Sequence, residues 1–484
     1  MFLRDGAIYI TSRAVPGIIG FLTAMLLTWI LSPVAMGVYG FGMAAAALGN
    51  SLLFEWVCAS FMRWHETHQN DPRFVPTILL LFAGMALLPV PPLVLATLLG
   101  IGAPHLGTAW LILLGSVAFG WFEFSARVQI ARFSPGHFLV MTLTRNGLML
   151  AGVIGAAYLT DSAEAALLAG FCAAAAAGCL FLGGWASFRP RRYDRTLARE
   201  FLAFGAPVGL TRVLSGLVSS GTPILLGVLA GYGAVGAYSV SNTLVQNSLG
   251  VFSSGISSAL FPAAVRAVES GDPAAAKGVL EQNYILLLSV LAPAALGLAL
   301  LAPDVASAFV GPALRQEVGQ IIPWLCLAAV LLGLRAYHFD YAFQLAKRTG
   351  LLVRVVASGA AANLALCLLL VPAYGGAGAA AATACVAAGM LIYGALLVRR
   401  VHPMPTPLGE TCRILTAALL MAVALCATPL PAGPAGLALS IAGGLVAYAA
   451  AYAALDLAGP RRLPRALAGL LRARRAQKAG APVA

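Results

Sequence analysis

Long apolar segments separated by short polar connections run along the whole chain. Each is close to the roughly 20 residues that a transmembrane helix needs, and none shows the two-residue alternation of a membrane β-strand. The fourteen predicted spans are residues 8–31, 37–62, 76–100, 108–127, 137–159, 165–188, 203–230, 236–262, 284–302, 320–341, 351–371, 377–398, 414–430 and 436–457. The pattern therefore predicts an all-α polytopic membrane protein with 14 transmembrane helices.

The connecting segments alternate in charge. Those after even-numbered spans hold nearly all of the arginines and lysines, whereas the opposite set has a single basic residue, Arg315, beside Asp161, Glu164, Asp304 and Glu317. Basic residues are retained on the cytoplasmic side of a membrane, so both termini are predicted to be cytoplasmic. The net charge of +13 thus reflects topology, and no nucleic-acid partner is expected.

Composition narrows the class further. Hydrophobic residues make up 60% of the 484 and charged residues 10%, which excludes an ordinary soluble domain. The eight cysteines are scattered without a CxxC pair, so neither a zinc site nor a disulfide framework is expected, and no cofactor is predicted.

Two stretches that lie 199 residues apart are copies of one another. Residues 13–39 align without a gap on residues 212–238 with eight identities in 27 positions, from Arg13 and Arg212 to Tyr39 and Tyr238. Biased composition alone predicts roughly two or three identities. Since six spans separate the copies, both begin on the same side of the membrane. The repeat predicts two six-helix lobes related by a parallel pseudo-two-fold axis.

The predicted domain organisation follows from the repeat. Residues 1–200 form an N-terminal lobe of spans 1–6, residues 201–400 a C-terminal lobe of spans 7–12, and residues 401–458 an extra pair of spans. Residues 459–484 form a cytoplasmic tail that reads as a basic amphipathic helix. Such a helix binds anionic membrane lipids, although an orientation signal with no further role explains the same residues.

Three motifs occur in the order and spacing of a known family. They are Leu31-Ser32-Pro33 with Gly37 and Tyr39, Phe261-Pro262 followed by Ser270-Gly271-Asp272, and the Gly/Ala-rich run from Pro372 to Thr383. Over nearly the whole chain this order resembles the bacterial polysaccharide exporters, the lipid-linked oligosaccharide flippases of the multidrug/oligosaccharidyl-lipid/polysaccharide superfamily.

The resemblance implies a function. Two six-helix lobes would surround a central cavity that opens alternately to each face of the bacterial inner membrane. The cargo would be an oligosaccharide on undecaprenyl pyrophosphate, moved from the cytoplasmic to the periplasmic leaflet for surface or exopolysaccharide synthesis. Lipid II flippases of the superfamily also have fourteen spans, and their extra pair forms a groove for the lipid tail. A polysaccharide polymerase and a chain-length regulator are the protein partners that such a pathway implies.

Two repeat-related arginines are the leading candidates for binding this cargo. An ionisable residue within a span costs about 2.5–3.5 kcal/mol on insertion scales, so it usually faces a cavity or a partner. Arg13 and Arg212 are predicted to face each other across the axis, where their guanidinium forks suit a pyrophosphate. The alternative is that both side chains extend to lipid headgroups at the cytoplasmic surface.

Further candidates for contacts with the glycan or phosphate lie deeper in the spans. They are Arg145 and Asn146 in span 5, Asn242 and Gln246 in span 8, and Arg335 in span 10. The amides and hydroxyls of span 8 suit a hydrated sugar. The alternative for span 8 is that small polar residues allow close helix packing.

Two carboxylates are candidates for energy coupling. Glu55 has no counterpart acid in span 8, so it is either a proton relay or the neutralising partner of an arginine. Asp340 either takes part in coupling or pairs with Lys347 or Arg348, and Arg335, five residues before it, is not expected to share its helix face. Spans 7, 11 and 12 contain no carboxylate, which disfavours sodium and leaves a proton or the membrane potential open.

A third acid has a structural interpretation. Glu123 lies four residues before Arg127, a spacing that predicts an ion pair on one helix turn.

Two other functions compete with the flippase. Ion-coupled efflux of small molecules or drugs, as in multidrug exporters of the same superfamily, usually serves cationic cargo, which the repeated arginines disfavour. A membrane enzyme needs a sizeable extramembrane loop or an acid–base constellation, and the sequence shows neither, so a transporter without covalent chemistry is predicted.

Overall fold

The computed structural model describes residues 2–100, 106–180, 193–346, 348–402, 404–428 and 433–455, without the side chains of residues 2–14, 219, 259 and 349. Its α-helices are α1 Phe2–Ile30, α2 Pro33–Leu53, α3 Glu55–His68, α4 Phe74–Leu87, α5 Val90–Leu98, α6 Leu106–Ala131, α7 Pro135–Thr160, α8 Ala163–Leu180, α9 Arg195–Ala230, α10 Tyr232–Val245, α11 Val251–Glu269, α12 Pro273–Leu300, α13 Ala302–Phe309, α14 Arg315–Leu334, α15 Asp340–Leu345, α16 Thr349–Val398, α17 Leu408–Ala427 and α18 Pro434–Ala454. One π-helical turn, Gln246–Gly250, joins α10 to α11, and a second, Arg335–Phe339, joins α14 to α15. The all-α prediction is confirmed for the described residues, which contain no strand.

Twelve helical segments of the described residues are long and apolar enough to cross a membrane, so the chain is a multi-pass membrane protein. Two features separate this number from the fourteen predicted spans. In α1 the side chains are described only from residue 15 onward, and the apolar stretch Val15–Ile30 is therefore not counted among the twelve. Helix α16 is 50 residues long but contains a non-helical residue, Gly375, with φ 54° and ψ −130°, between the spans predicted at 351–371 and 377–398.

The two helices that end the internal repeat cross at a pair of repeat-related glycines. A Cβ atom on Gly37 of α2 would lie 1.6 Å from the carbonyl oxygen of Tyr232, at the start of α10. One on Gly236 of α10 would lie 2.7 Å from the carbonyl oxygen of Pro33. Two backbones can approach this closely only where no side chain intervenes. The crossing therefore holds the two copies of the repeat in direct contact.

An aromatic cluster joins the first helices of the chain to α9. Phe61, Phe74 and Phe124 from α3, α4 and α6 are almost completely buried and pack together with Phe201 of α9. The Ser60 hydroxyl donates a 2.7 Å hydrogen bond to the carbonyl oxygen of Phe201. This packing fixes the entry of α9 into the bundle.

A polar cluster caps the same end of α9. The Asp194 carboxylate accepts hydrogen bonds from the backbone N–H groups of Thr196 and Leu197, at 2.8 and 3.3 Å. Arg73 donates to Asp194 at 2.6 Å and to Asp71 at 3.0 Å. The backbone hydrogen bonds hold the pKa of Asp194 below its ordinary value, and the hydrogen bond from Arg73 does the same for the pKa of Asp71.

The other end of the bundle is closed by contacts between the end of α1 and the connection from α13 to α14. The backbone N–H of Gly311 donates to the Thr28 hydroxyl at 2.8 Å, and the Trp29 indole donates to the carbonyl oxygen of Phe309 at 3.2 Å. The Arg315 guanidinium lies 5.2 Å from the centre of the Trp29 ring. We call the contacts made by Thr28, Trp29, Phe309, Gly311 and Arg315 the α1 clasp.

Candidate functional site

Three cavities inside the bundle share lining residues and form one polar path. The Tyr39 cavity, of about 310 Å³, lies between α1, α2, α7 and α10. The Tyr238 cavity, of about 370 Å³, lies between α9, α10, α14 and α16, and the Arg212 cavity, of about 640 Å³, lies beside α9 and α16. Asn242 lines the first two cavities and Ser215 the last two, so the three cavities adjoin one another at these side chains, and we call them together the polar path.

The Tyr39 cavity presents amide and hydroxyl groups. Thr23, Asn146 and Ser239 line it together with Asn242. The Asn146 side-chain N–H donates to the carbonyl oxygen of Thr142 at 2.7 Å, which leaves its carbonyl oxygen as an acceptor. In the described part of the chain the buried Ser239 hydroxyl has no hydrogen-bond partner. The cavity therefore offers donors and acceptors without a full charge on its wall.

The Tyr238 cavity is the counterpart in the second repeat. Its wall contains Tyr238, whose hydroxyl is 3.3 Å from the Thr383 hydroxyl. Asn363 also lines it and donates at 3.0 Å to Thr222, the repeat partner of Thr23. The predicted residues Asn242, Gln246 and Arg335 complete the wall. Unlike the Tyr39 cavity, this one has a permanent positive charge on its lining.

Both π-helical turns begin at the Tyr238 cavity with a long polar side chain, Gln246 in one and Arg335 in the other. A π turn bonds residues five apart, so it brings positions i and i+5 to one face. Arg335 Nη1 accordingly lies 3.7 Å from Asp340 Oδ2. The prediction that these two residues do not share a face is wrong, because it assumed α-helical spacing.

Of the two predicted partners of Asp340, only Arg348 can be compared with the structure. Lys347 lies outside the described residues, and no ion pair joins Asp340 to Arg348 in the described part. The buried carboxylate is turned to Arg335 instead, and Asp340 is 4% exposed.

Arg145 does not line any of these cavities, although its neighbour Asn146 does. Its guanidinium stacks 4.4 Å from the ring centre of Phe122 and 5.7 Å from that of Phe119, and the charge of Glu123 acts on it. This geometry is a cation–π packing site beside the Tyr39 cavity.

The ion pairs of the first six spans also differ from the prediction. Arg127 Nη2 lies 3.7 Å from Glu55 Oε2, and no Glu123–Arg127 pair occurs among the described residues. Helix α2 ends before Phe54, and α3 restarts at Glu55, so the carboxylate is redirected to α6. Glu55 thus has the arginine partner that one of its two interpretations expects, and its role in coupling stays a prediction.

The two repeat-related arginines are placed unequally. Arg212 is exposed and lines the Arg212 cavity with Thr211, Ser215 and Gln344. The side chain of Arg13 lies outside the described residues. Whether the two guanidinium groups face one another therefore stays a prediction.

A fourth cavity is apolar. It has about 500 Å³ and lies between α12, α17 and α18, with Leu298, Met421 and Leu445 among its walls. Ser248, Leu249 and Phe252, in and just after the π turn that begins at Gln246, close its inner side. Tyr448 lines it as well and donates at 2.9 Å to the carbonyl oxygen of Ser289.

Sequence reasoning passed over several residues of the polar path. Tyr39 and Tyr238 were identities of the repeat, but the repeated arginines drew the functional interpretation. Asn363 and Thr383 were not among the predicted site residues. The signal for Tyr39 and Tyr238 is their identity in the repeat, and the signal for Asn363 and Thr383 is a polar side chain in an apolar span.

The comparisons with known proteins agree with this architecture. The fold is similar to a solved structure of the lipid II flippase MurJ in an inward closed conformation, with a TM-score of 0.76 and 14% identity, covering 93% of this chain and 99% of that one. It is also similar to a multidrug resistance MATE family transporter of the MOP superfamily in an inward-facing conformation, with a TM-score of 0.57 and 13% identity over 81% of this chain and 98% of that one. At these identities the likeness establishes a shared fold.

A search of curated proteins gave no match. Residues 26–316 match the family described as "Polysaccharide biosynthesis protein", which is more than half of the chain. This multi-pass membrane protein therefore belongs to the polysaccharide biosynthesis protein family.

Proposed function

We propose that this protein is a flippase for an oligosaccharide linked to undecaprenyl pyrophosphate. The observation that carries the proposal is the division of the π turn Gln246–Gly250 between two environments. Gln246 and Gly250 line the polar Tyr238 cavity, whereas Ser248 and Leu249 line the apolar cavity. A cargo with a polar head and a long apolar tail would fill two such cavities on one helix. A small drug would not need the apolar cavity.

The proposed topology has fourteen spans in two six-helix lobes and an extra pair. The twelve apolar segments become fourteen when α1 is counted and α16 is divided at Gly375. The crossing at Gly37 and Gly236 supports a pseudo-two-fold axis between the lobes 1–200 and 201–400. With the basic connections inside, both termini lie in the cytoplasm of a bacterium, and the protein spans its inner membrane.

The proposed cargo path starts at the Arg212 cavity. Arg13 and Arg212 would receive the pyrophosphate near the cytoplasmic ends of α1 and α9. The glycan would contact Asn146, Asn242 and Gln246, whose amides line the two tyrosine cavities. The lipid tail would lie in the apolar cavity beside α17 and α18. A polymerase and a chain-length regulator would then use the flipped precursor.

Transport would proceed by alternating access. The α1 clasp closes the end of the bundle that the charge pattern places in the periplasm. Opening the clasp while the lobes close at the cytoplasmic end would release the cargo outward. Neither step requires covalent chemistry.

Complementation of a strain deleted for the gene tests this function. Wild type, Arg13→Ala and Arg212→Ala would be compared at matched expression, with the exposed Arg354→Ala of α16 as the control arginine. Surface polysaccharide and inner-leaflet undecaprenyl-linked oligosaccharide would be quantified by mass spectrometry. We expect precursor accumulation and polysaccharide loss in the deletion strain and in both cavity variants, but not in the control.

Normal polysaccharide without precursor accumulation in the deletion strain would contradict the flippase. Efflux of small molecules, which the similar fold of MATE transporters makes the alternative, would then be tested by drug susceptibility of the same strains.

A further inference from the structure

The ion pair at the second π turn is unusually incomplete for a buried pair. Arg335 Nη1 and Asp340 Oδ2 are 3.7 Å apart, which is too long for a hydrogen bond. Among the described residues, Nε and Nη1 of Arg335 and Oδ1 of Asp340 have no hydrogen-bond partner. Their side chains are only 13% and 6% exposed. Buried charges normally complete their hydrogen bonds, so free donors here point to a missing ligand.

Only one member of the Arg335–Asp340 pair borders the Tyr238 cavity. Arg335 lines the Tyr238 cavity, and Asp340 does not. Arg335 is therefore the member of the pair that a ligand in the cavity can reach. Its unpartnered Nε and Nη1 atoms are themselves buried, so they meet such a ligand only when the side chain turns toward the cavity. Gln246 and Asn363 lie on the same cavity wall and add neutral donors. An anion that enters the cavity meets the arginine first.

Among the described residues, to which Lys347 does not belong, Arg335 is the charged group that acts on Asp340. The other titratable side chains near the carboxylate are Tyr337 and His338 in the turn, Tyr341 after it, and Tyr284 of α12, whose ring lies 5.0 Å from that of His338. The other charged residues on the helices that pack against the turn are all exposed or half-exposed. They are Arg266 and Glu269 on α11, Lys277 and Glu281 on α12, Arg315 and Glu317 on α14, and Arg354 on α16. Within the part of the chain that the structure describes, loss of the arginine to another anion would leave the buried carboxylate without its counter-charge.

We propose that the phosphate of the cargo competes with Asp340 for Arg335, and that Asp340 takes up a proton when the cargo binds. The charges balance: the guanidinium exchanges one carboxylate for one phosphate oxygen, and the displaced carboxylate becomes a neutral acid. Release of the phosphate returns the arginine to Asp340 and expels the proton. The π turn makes the exchange possible because it brings the competing carboxylate, five residues further along the chain, next to the guanidinium.

This inference rests on the proposed function for the identity of the cargo, and it adds the site and the coupled ion. Since the proton is taken up with the cargo and expelled on its release, it would move outward together with the cargo and neutralise one of its charges. The membrane potential acting on the remaining negative charge would then supply the energy.

Calorimetric titration of the purified full-length protein with inorganic pyrophosphate tests the exchange. Titrations in buffers of different ionisation enthalpy count the protons taken up on binding, and the difference between variants removes the contribution of pyrophosphate itself. We expect Asp340→Asn to take up about one proton fewer than wild type per pyrophosphate. We also expect it to bind at least roughly ten-fold more tightly, because the internal competitor is gone.

Arg335→Gln should weaken binding by at least roughly ten-fold. If it does not yield a monodisperse protein, Arg335→Lys keeps the charge, loses the fork, and should bind more weakly while still taking up the proton. Arg354→Gln and Asp304→Asn are matched controls at exposed positions, and both should behave as wild type.

Equal proton uptake by wild type and Asp340→Asn would overturn the inference, as would unchanged affinity in Arg335→Gln or the absence of pyrophosphate binding to wild type. These results are independent of the complementation assay. Proton-linked binding together with normal polysaccharide in the deletion strain would reject the flippase but keep the site, for another anionic cargo. Precursor accumulation in the deletion strain without proton-linked binding would keep the flippase and reject the site.

Discussion

Replacing Gly311 by alanine should open the bundle at the α1 clasp. A Cβ atom at this position would lie 1.8 Å from the carbonyl oxygen of Thr28 and 2.6 Å from its carbonyl carbon. Real Cβ atoms essentially never come within 3.0 Å of another heavy atom, so one of the two segments must move by more than about 1 Å. A backbone carbonyl cannot rotate away as a flexible side chain can.

The movement would weaken every contact of the clasp. The hydrogen bonds at Thr28 and Trp29 contribute about 0.5–1.5 kcal/mol each. The stacking of Arg315 on Trp29 adds about 0.5–1 kcal/mol, and the edge-to-face pair of Phe21 and Phe309, 5.6 Å between ring centres, adds about 0.5–1.5 kcal/mol. Partial loss of these contacts, about 2 kcal/mol, would move the closed-to-open equilibrium roughly 30-fold toward opening.

Pulsed electron spin resonance measures this shift directly. Spin labels would be placed at the exposed positions Val34 and Gln316, one on each side of the clasp, in a background without native cysteines. We expect Gly311→Ala to gain a population with a longer distance between the labels. Gly319→Ala in α14 is the matched control, since its Cβ would meet nothing closer than Pro303 at 3.8 Å. Identical distance distributions for both variants and wild type would refute the reasoning.

Three further predictions concern stability and the lipid tail. The pKa of Asp194 is lower in the folded protein than in the unfolded chain, where it is about 3.9. Its contribution to the free energy of unfolding is therefore complete above that pKa and is lost as the pH falls below it. The melting temperature of Asp194→Asn should therefore be lower than that of wild type at pH 7, and the difference should shrink below about pH 4, as scanning fluorimetry would show. Gly297→Phe should fill the apolar cavity and slow precursor flipping without changing pyrophosphate affinity. Phe171→Ala should lower the free energy of unfolding by about 3–5 kcal/mol, because the ring is completely buried.

Much of the architecture was predictable because hydropathy and charge act over whole segments. The helical class and most spans follow from apolar length, and the break in α16 was expected between the spans at 351–371 and 377–398. The gap between α2 and α3 was not expected, because Phe54 and Glu55 lie inside a continuous apolar run. A local break of this kind depends on packing against other helices, which hydropathy does not record.

The candidate site was harder to predict, because side-chain partners depend on which helices meet. Asn242 and Gln246 were selected for their polarity, and both line the polar path. Arg145 was selected by the same rule but stacks on Phe122 outside the cavities. The difference is rotational: adjacent residues of one helix, such as Arg145 and Asn146, point about 100° apart, and sequence alone does not say which of them faces the cavity.

Glu55 and Asp340 show the limit of spacing rules within a span. An α-helical period assigns Glu123 to Arg127 and separates Arg335 from Asp340, and the structure reverses both assignments. In each case a departure from the α-helix, a break at Phe54 or a π turn at Arg335, changes which charges meet. An extra residue in a turn weakens the helix, so it persists where the resulting contact has a use. At Arg335 that contact is a buried, incompletely hydrogen-bonded pair whose arginine lines a cavity, which is an arrangement that suits a reversible exchange of anions.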